Sequence, residues 1–174
     1  NKKKIILGNG SDELISILAQ TYLNYNDEAI YTEFGFLQFP QAISIAGAMG
    51  VVANDVNHTA SVDNILSKIG KKTKLIFLAN PNNPTGTFIS KNEVIRLQES
   101  IPKNILLVYD AAYSEYVVND DYIDGSELAV DTSRRDDDVK NYSVGLLDID
   151  AAVMYYFREV IKPEVIDNGE KVKV

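Results

Sequence analysis

Apolar and polar positions follow two alternating rhythms along the first 110 residues. Ile5-Ile6-Leu7 is a short apolar run entering Gly8-Asn9-Gly10-Ser11, after which Leu14, Ile17, Leu18 and Tyr22 recur at helical spacing. This predicts a strand, a glycine turn and a helix, with Ser11 as N-cap and Asp12 and Glu13 in the first turn, where acidic side chains complement the helix dipole. Ala29 to Thr32 reads as a second strand. Phe36 to Ala48 reads as an apolar helix that tolerates Pro40 in its first turn and ends at Gly47 and Gly50. Val51-Val52-Ala53 begins another strand and Val62 to Ile69 forms a short helix, while Leu75 to Ala79 is an uninterrupted apolar run of the kind buried on both faces of a sheet. Ser90, with Glu93 three residues on, has the capping-box pattern for a helix to about Ser100. Ile105 to Val108 is a further buried strand, ending at Tyr109-Asp110. Sustained alternation of strand and helix predicts an α/β fold, a three-layer sandwich around a mostly parallel sheet with right-handed crossovers.

The rhythm breaks after Val130. Residues 131–147, with the run Arg134-Arg135-Asp136-Asp137-Asp138, are predicted to be a charged linker, and the aspartates a solvated loop rather than a metal site, because no spaced partner ligands accompany them. Residues 148–174 are predicted to hold a helix and a strand stub. Ile149, Ala152, Val153, Tyr156, Phe157, Val160 and Ile161 share one helical face, and Asp167 to Glu170 reads as a turn before Lys171 to Val174. The expected division is therefore 1–130, 131–147 and 148–174.

Composition narrows the function classes. A chain of 174 residues fits one domain, and 45% hydrophobic with 24% charged residues is ordinary for a globular protein. The net charge of −8 argues against a surface built for nucleic acid or anionic lipid, while leaving room for a local phosphate pocket. The absence of cysteine excludes disulfides and thiolate chemistry and fits a reducing compartment, so a cytoplasmic location is expected. The apolar run after Lys2-Lys3-Lys4 is too short for a signal peptide, and none approaches the roughly 20 residues of a membrane span. Because the chain starts at Asn1 and enters a strand-like segment almost at once, the expectation is a fragment.

The most informative string is Asn80-Pro81-Asn82-Asn83-Pro84-Thr85-Gly86, between a buried strand and a helix. Asn-Pro alone is ordinary turn chemistry, whereas the full string is rare. Here the chain resembles the aspartate-aminotransferase superfamily of pyridoxal-phosphate enzymes, and the longer string is similar to the histidinol-phosphate aminotransferase branch. The resemblance implies an incomplete aspartate-aminotransferase-like large domain with pyridoxal 5'-phosphate as cofactor. By that resemblance Asn83 donates its amide to the cofactor's phenolic oxygen, and Asp110, in Asp110-Ala111-Ala112-Tyr113, pairs with the pyridine nitrogen. A carboxylate about 4 Å from a cation at an effective dielectric of 20 contributes roughly 4 kcal/mol before desolvation. That would keep the ring nitrogen protonated. Tyr113 would bond the phenolic oxygen beside Asn83, with corner packing as its rival role. Ser11 and Asp12, in Gly8-Asn9-Gly10-Ser11-Asp12-Glu13, would hold the phosphate through backbone amides at a helix start, the Asp12 carboxylate pointing away. Phe34 stands at the family's ring-stacking position, with core packing as the alternative. His58 receives no role.

The resemblance runs from about residue 4 to 128. Family members continue with a strand and a Ser-Lys segment whose lysine forms the Schiff base, and neither is recognisable here. Lys140 is a remote candidate at a similar distance from Asp110, without the apolar strand or the preceding serine. The family reaction moves an amino group between an amino acid or amino alcohol phosphate and a 2-oxo acid, in homodimers. For this chain the expectation is a truncated domain with an unrelated C-terminal segment and no catalytic lysine. A noncatalytic cofactor-binding remnant is one alternative. A dinucleotide-binding module, suggested by the first glycine turn, is another, but it lacks the full Gly-x-Gly-x-x-Gly spacing.

Overall fold

The computed structural model describes residues 7–125, together with backbone strands at 143–146, 164–167 and 170–173. Helix α1 spans Gly10–Tyr22, strand β1 Glu28–Thr32, α2 Gln38–Ile45, β2 Met49–Ala53, α3 Val62–Ser67, β3 Thr73–Ala79, α4 Lys91–Ser100 and β4 Leu106–Asp110. Strand β5, Ser143–Leu146, completes a five-stranded sheet in the order β2-β1-β3-β4-β5, every pair parallel. A separate antiparallel pair, β6 (Glu164–Asp167) and β7 (Glu170–Lys173), lies outside that sheet. None of the described helices is long and apolar enough to cross a membrane.

The three layers follow from side-chain alternation along β3 and β4. Leu75, Phe77 and Ala79 on β3, with Leu106 and Val108 on β4, share a core with Ile15 and Ala19 of α1 and Phe39, Ala42 and Ile43 of α2. Ile76, Leu78, Leu107 and Tyr109 point the other way, into a core with Val62 and Ile65 of α3 and Val94 and Leu97 of α4. The central strands are therefore buried on both faces. Phe39 stacks on Phe77 with centroids 5.0 Å apart, locking α2 over the sheet. Burying one such side chain fully contributes about 1.5–3 kcal/mol.

Several boundaries differ from the sequence expectations for identifiable reasons. Helix α1 starts two residues early: Asn9 is the N-cap, Gly10 enters the helix at φ +87°, and Ser11 falls inside the first turn instead of capping it. The Glu13 carboxylate reaches back to the Asn9 N–H at 2.6 Å. Gly50 lies within β2 rather than ending α2, because the Tyr31 ring packs against it: an added Cβ would sit 2.9 Å from Tyr31 Cε1. Ser90 caps α4 by accepting from Glu93 N at 3.3 Å. The Glu93 carboxylate also receives Arg96, whose guanidinium reaches Asp63 at the head of α3 as well. Residues 143–146, placed in the linker by their charged surroundings, instead form β5 beside β4. The helix expected from Asp148 and the candidate Lys140 lie outside the described residues.

Candidate functional site

In a doubly wound parallel sheet, ligands lie beyond the carboxyl ends of the strands where the winding reverses. In the order β2-β1-β3-β4-β5 the reversal lies between β1 and β3, since the chain crosses β1 on its way from β2 to β3. The loops leaving β1, β3 and β4 meet there, and they carry Phe34, Asn80 to Gly86, and Asp110 to Tyr113 respectively.

A cleft at this edge is lined by Ser11, Phe36, Pro81, Asn83, Asp110 and Tyr113, among others, is partly open to solvent and has a cavity volume of about 50 Å³. Its position follows from the alternation. Asp110 continues the face of Leu106 and Val108, as Ala79 continues that of Leu75 and Phe77, so both reach the α1/α2 side where the first turn of α1 presents Ser11. Asp110 is 4% exposed, and its Oδ1 accepts the Ala112 N–H at 3.2 Å. Asn83 Nδ2 donates to the Tyr113 hydroxyl at 3.2 Å across the cleft.

The sequence-predicted residues divide accordingly. Ser11, Asn83, Asp110 and Tyr113 line one cleft. Asp12 is exposed in the first turn of α1, where its carbonyl accepts the Ser16 hydroxyl at 2.8 Å. Phe34 is outside the lining: its ring meets the His58 ring with centroids 5.1 Å apart, and Phe36 supplies the aromatic wall. Sequence reasoning assigned Phe36 to an apolar helix, and only the loop geometry beyond β1 brings it to the cleft. It also left Asn80 without a part. That side chain is buried, donates to the Tyr109 hydroxyl at 2.8 Å and accepts from Ile89 N at 2.8 Å, while its carbonyl accepts from the Tyr122 hydroxyl at 2.7 Å. Tyr109 in turn donates to the Ile123 carbonyl at 2.6 Å. Burial pushes the Tyr109 hydroxyl up to about 12, the bond from Asn80 opposing the shift, so it stays a donor at neutral pH.

Chemically, the cleft joins a buried carboxylate, two neighbouring donors able to converge on one anionic oxygen, and a helix start whose amides suit phosphate. Fold and site together define an α/β domain with a cleft of charged and hydrogen-bonding side chains at the switch point of its parallel sheet. The chain belongs to the class I and II aminotransferase family, whose profile matches residues 1–145. It is 50% identical over 129 residues to histidinol-phosphate aminotransferase of Nitrobacter hamburgensis, covering 74% of this chain and 35% of that protein. To the histidinol-phosphate aminotransferase of Rhodopseudomonas palustris strain BisB5 it is 51% identical over the same length, with the same coverage. The chain thus spans about a third of the length of the curated relatives it matches. In fold it is similar to the crystal structure of histidinol-phosphate aminotransferase from Sinorhizobium meliloti in complex with pyridoxal-5'-phosphate, at TM-score 0.72 and 22% identity over 83% of this chain and 37% of that one. Aspartate aminotransferase from Thermus thermophilus with maleate aligns at TM-score 0.61 and 22% identity, over 66% of this chain and 31% of that one.

Proposed function

We propose that the cleft binds pyridoxal 5'-phosphate, and that the chain is the cofactor-binding part of an enzyme moving an amino group between a histidinol-phosphate-like donor and a 2-oxo acid. The observation that carries this reading is that Asp110 and the Asn83–Tyr113 pair line one cleft at the switch point of the sheet. The cofactor when bound supplies an electron sink for substrate chemistry. Asp110 holds a proton on the ring nitrogen: a buried carboxylate is stabilised by a facing cation, and the Ala112 N–H at 3.2 Å keeps it oriented. Asn83 and Tyr113 donate to the phenolic oxygen, each already held beside the other. The amides around Ser11 take the phosphate at the start of α1.

A noncatalytic reading of this 174-residue chain goes with that binding role. Among the described residues no lysine lines the cleft, and transamination needs an amine there to hold the aldehyde and shuttle the proton. On this reading the 174-residue chain binds the cofactor noncovalently and does not turn over.

Titration of the chain with pyridoxal phosphate, followed by borohydride reduction and peptide mass spectrometry, tests both statements. The expected result is saturable binding, weakened by Asp110→Asn, without a modified lysine. Binding that ignores Asp110→Asn would overturn the site. A modified Lys140 would overturn the noncatalytic reading, and tight NAD binding without pyridoxal phosphate binding would favour the dinucleotide alternative.

A further inference from the structure

Residues 119–123 hold the loop between β3 and α4 by both of its feet. The Tyr122 hydroxyl donates to the Asn80 carbonyl at 2.7 Å, where the loop leaves β3, and the Lys91 N–H donates to the Asp121 carbonyl at 2.7 Å, where the loop enters α4. The Tyr109 hydroxyl adds a further tie, accepting from Asn80 Nδ2 and donating to the Ile123 carbonyl. The segment is closed on itself: the Asp121 N–H donates to Asn119 Oδ1 at 2.9 Å and the Tyr122 N–H to the Asn119 carbonyl at 3.1 Å. The loop tip is closed as well, with the Asn82 N–H donating to the Thr87 carbonyl and the Gly86 N–H to the Asn82 carbonyl, each at 2.8 Å. A moved foot is therefore passed on to Asn83 instead of being absorbed. Asn80 also donates its N–H to the Asp110 carbonyl at 2.8 Å, so the foot that Tyr122 holds is referenced to the strand end presenting Asp110. The Tyr122 ring meets Phe88 edge-on with centroids 5.8 Å apart, a contact that phenylalanine would make equally well. Its hydroxyl is what reaches Asn80, across 42 residues of sequence, and burial pushes its pKa up, so it stays a donor.

We propose that residues 119–123 are a strap that sets the separation of Asn83 from Asp110, with Tyr122 as its positioning residue. The inference rests on the cofactor reading above and extends it to a segment outside the cleft lining. A donor and a carboxylate that address two edges of one small ring tolerate little change in their spacing, so the bonds behind them matter as much as the groups themselves. Losing the Tyr122 hydroxyl weakens contacts to the ring of a ligand, while the amides around Ser11, at the start of α1, keep their hold on a phosphate.

The test uses the full 174-residue chain with two probes, pyridoxal phosphate and inorganic phosphate. Tyr122→Phe keeps the ring against Phe88 and removes the bond to Asn80. Ile65→Val, a trim in the core of the same sheet face and outside these hydrogen bonds, is the stability control. In the ligand-free chain Tyr122→Phe is expected to shift the Asn83 side-chain amide resonances. Its pyridoxal phosphate Kd rises about fivefold with phosphate Kd unchanged, and the pH midpoint of the bound cofactor's phenol absorbance moves up, because weaker donors stabilise the phenolate less. Ile65→Val lowers the urea midpoint and moves none of these. Asn83 resonances that stay put overturn the strap, as do an equal loss for both probes and an Ile65→Val variant that matches Tyr122→Phe, each marking a merely structural role. If the wild-type chain takes up no pyridoxal phosphate, the cofactor reading fails and the ligand-free Asn83 resonances alone decide the strap. If Tyr122→Phe does not fold, Phe88→Leu, which loosens the Tyr122 ring without deleting a hydrogen bond, carries the same readouts.

Discussion

Asn80 and Asn83 leave the same strand three residues apart, but Asn80 is sealed under the α3/α4 face while Asn83 borders the cleft on the α1/α2 face. Asn80 has its amide and carbonyl bonded to Ile89, Tyr109 and Tyr122. Asn83 is half-buried and bonds the Tyr113 hydroxyl. The same split recurs one strand over, where Tyr109 completes the buried network and Asp110, the next residue, faces the cleft. At Tyr109 and Asp110 strand alternation sends one side chain into the buried network and the next to the cleft, and in the loop after β3 the turn makes the same division between Asn80 and Asn83.

Substitution can break this division, and the largest effect should come from its buried half. Asn80→Ala strands the Ile89 N–H and removes a partner of the Tyr109 hydroxyl, and is expected to cost about 3 kcal/mol of stability, read as a lower urea midpoint. Asn83→Ala should stay within about 0.5 kcal/mol of wild type while weakening pyridoxal phosphate binding. Equal stability losses for the two would refute the comparison. Next in size, Asp110→Asn keeps the shape and removes the charge, so cofactor affinity should fall about thirtyfold, measured by absorbance titration with unfolding as the control. A weaker contrast is expected between Tyr109→Phe and Tyr113→Phe. The first should cost about 1.5 kcal/mol of stability, and the second should change the cofactor Kd by about threefold with little effect on unfolding.

The smallest effect concerns Asp55, whose Oδ2 accepts the Phe34 N–H at 3.4 Å. Burial raises its carboxyl above the ordinary 3.8, the bond from the Phe34 N–H opposing the shift, so the folded state holds a proton that the unfolded chain has already released. Stability should therefore decline as pH rises from about 3.8 through the raised value. Asp55→Asn should flatten that slope in urea unfolding across the acid range. An unchanged slope would show that burial does not govern this carboxylate.

The fold was legible wherever local pattern and tertiary demand coincide. Leu75 to Ala79 reads as a doubly buried strand because it is one. Ser90 reads as a cap because its hydroxyl needs only the amide three residues on. The edge strand β2 was legible only in part: Met49, Gly50 and Val52 are exposed there, so its start carries no burial pattern. The charged surroundings of 143–146 likewise hid β5, whose partner is a strand more than 30 residues away in sequence.

The sequence by itself determined the alternation of elements and the α/β class, because strand period, capping and turn chemistry act over a few neighbours, whereas Asn83 and Asp110 were singled out only by the resemblance of their motifs to a family. The strand order, the assignment of Asn80 and Tyr109 to the closed face, and the choice of Phe36 over Phe34 for the cleft wall were decided only by the folded chain. Each of these depends on contacts between segments far apart in sequence, and their energies exist only after the sheet has brought those segments together.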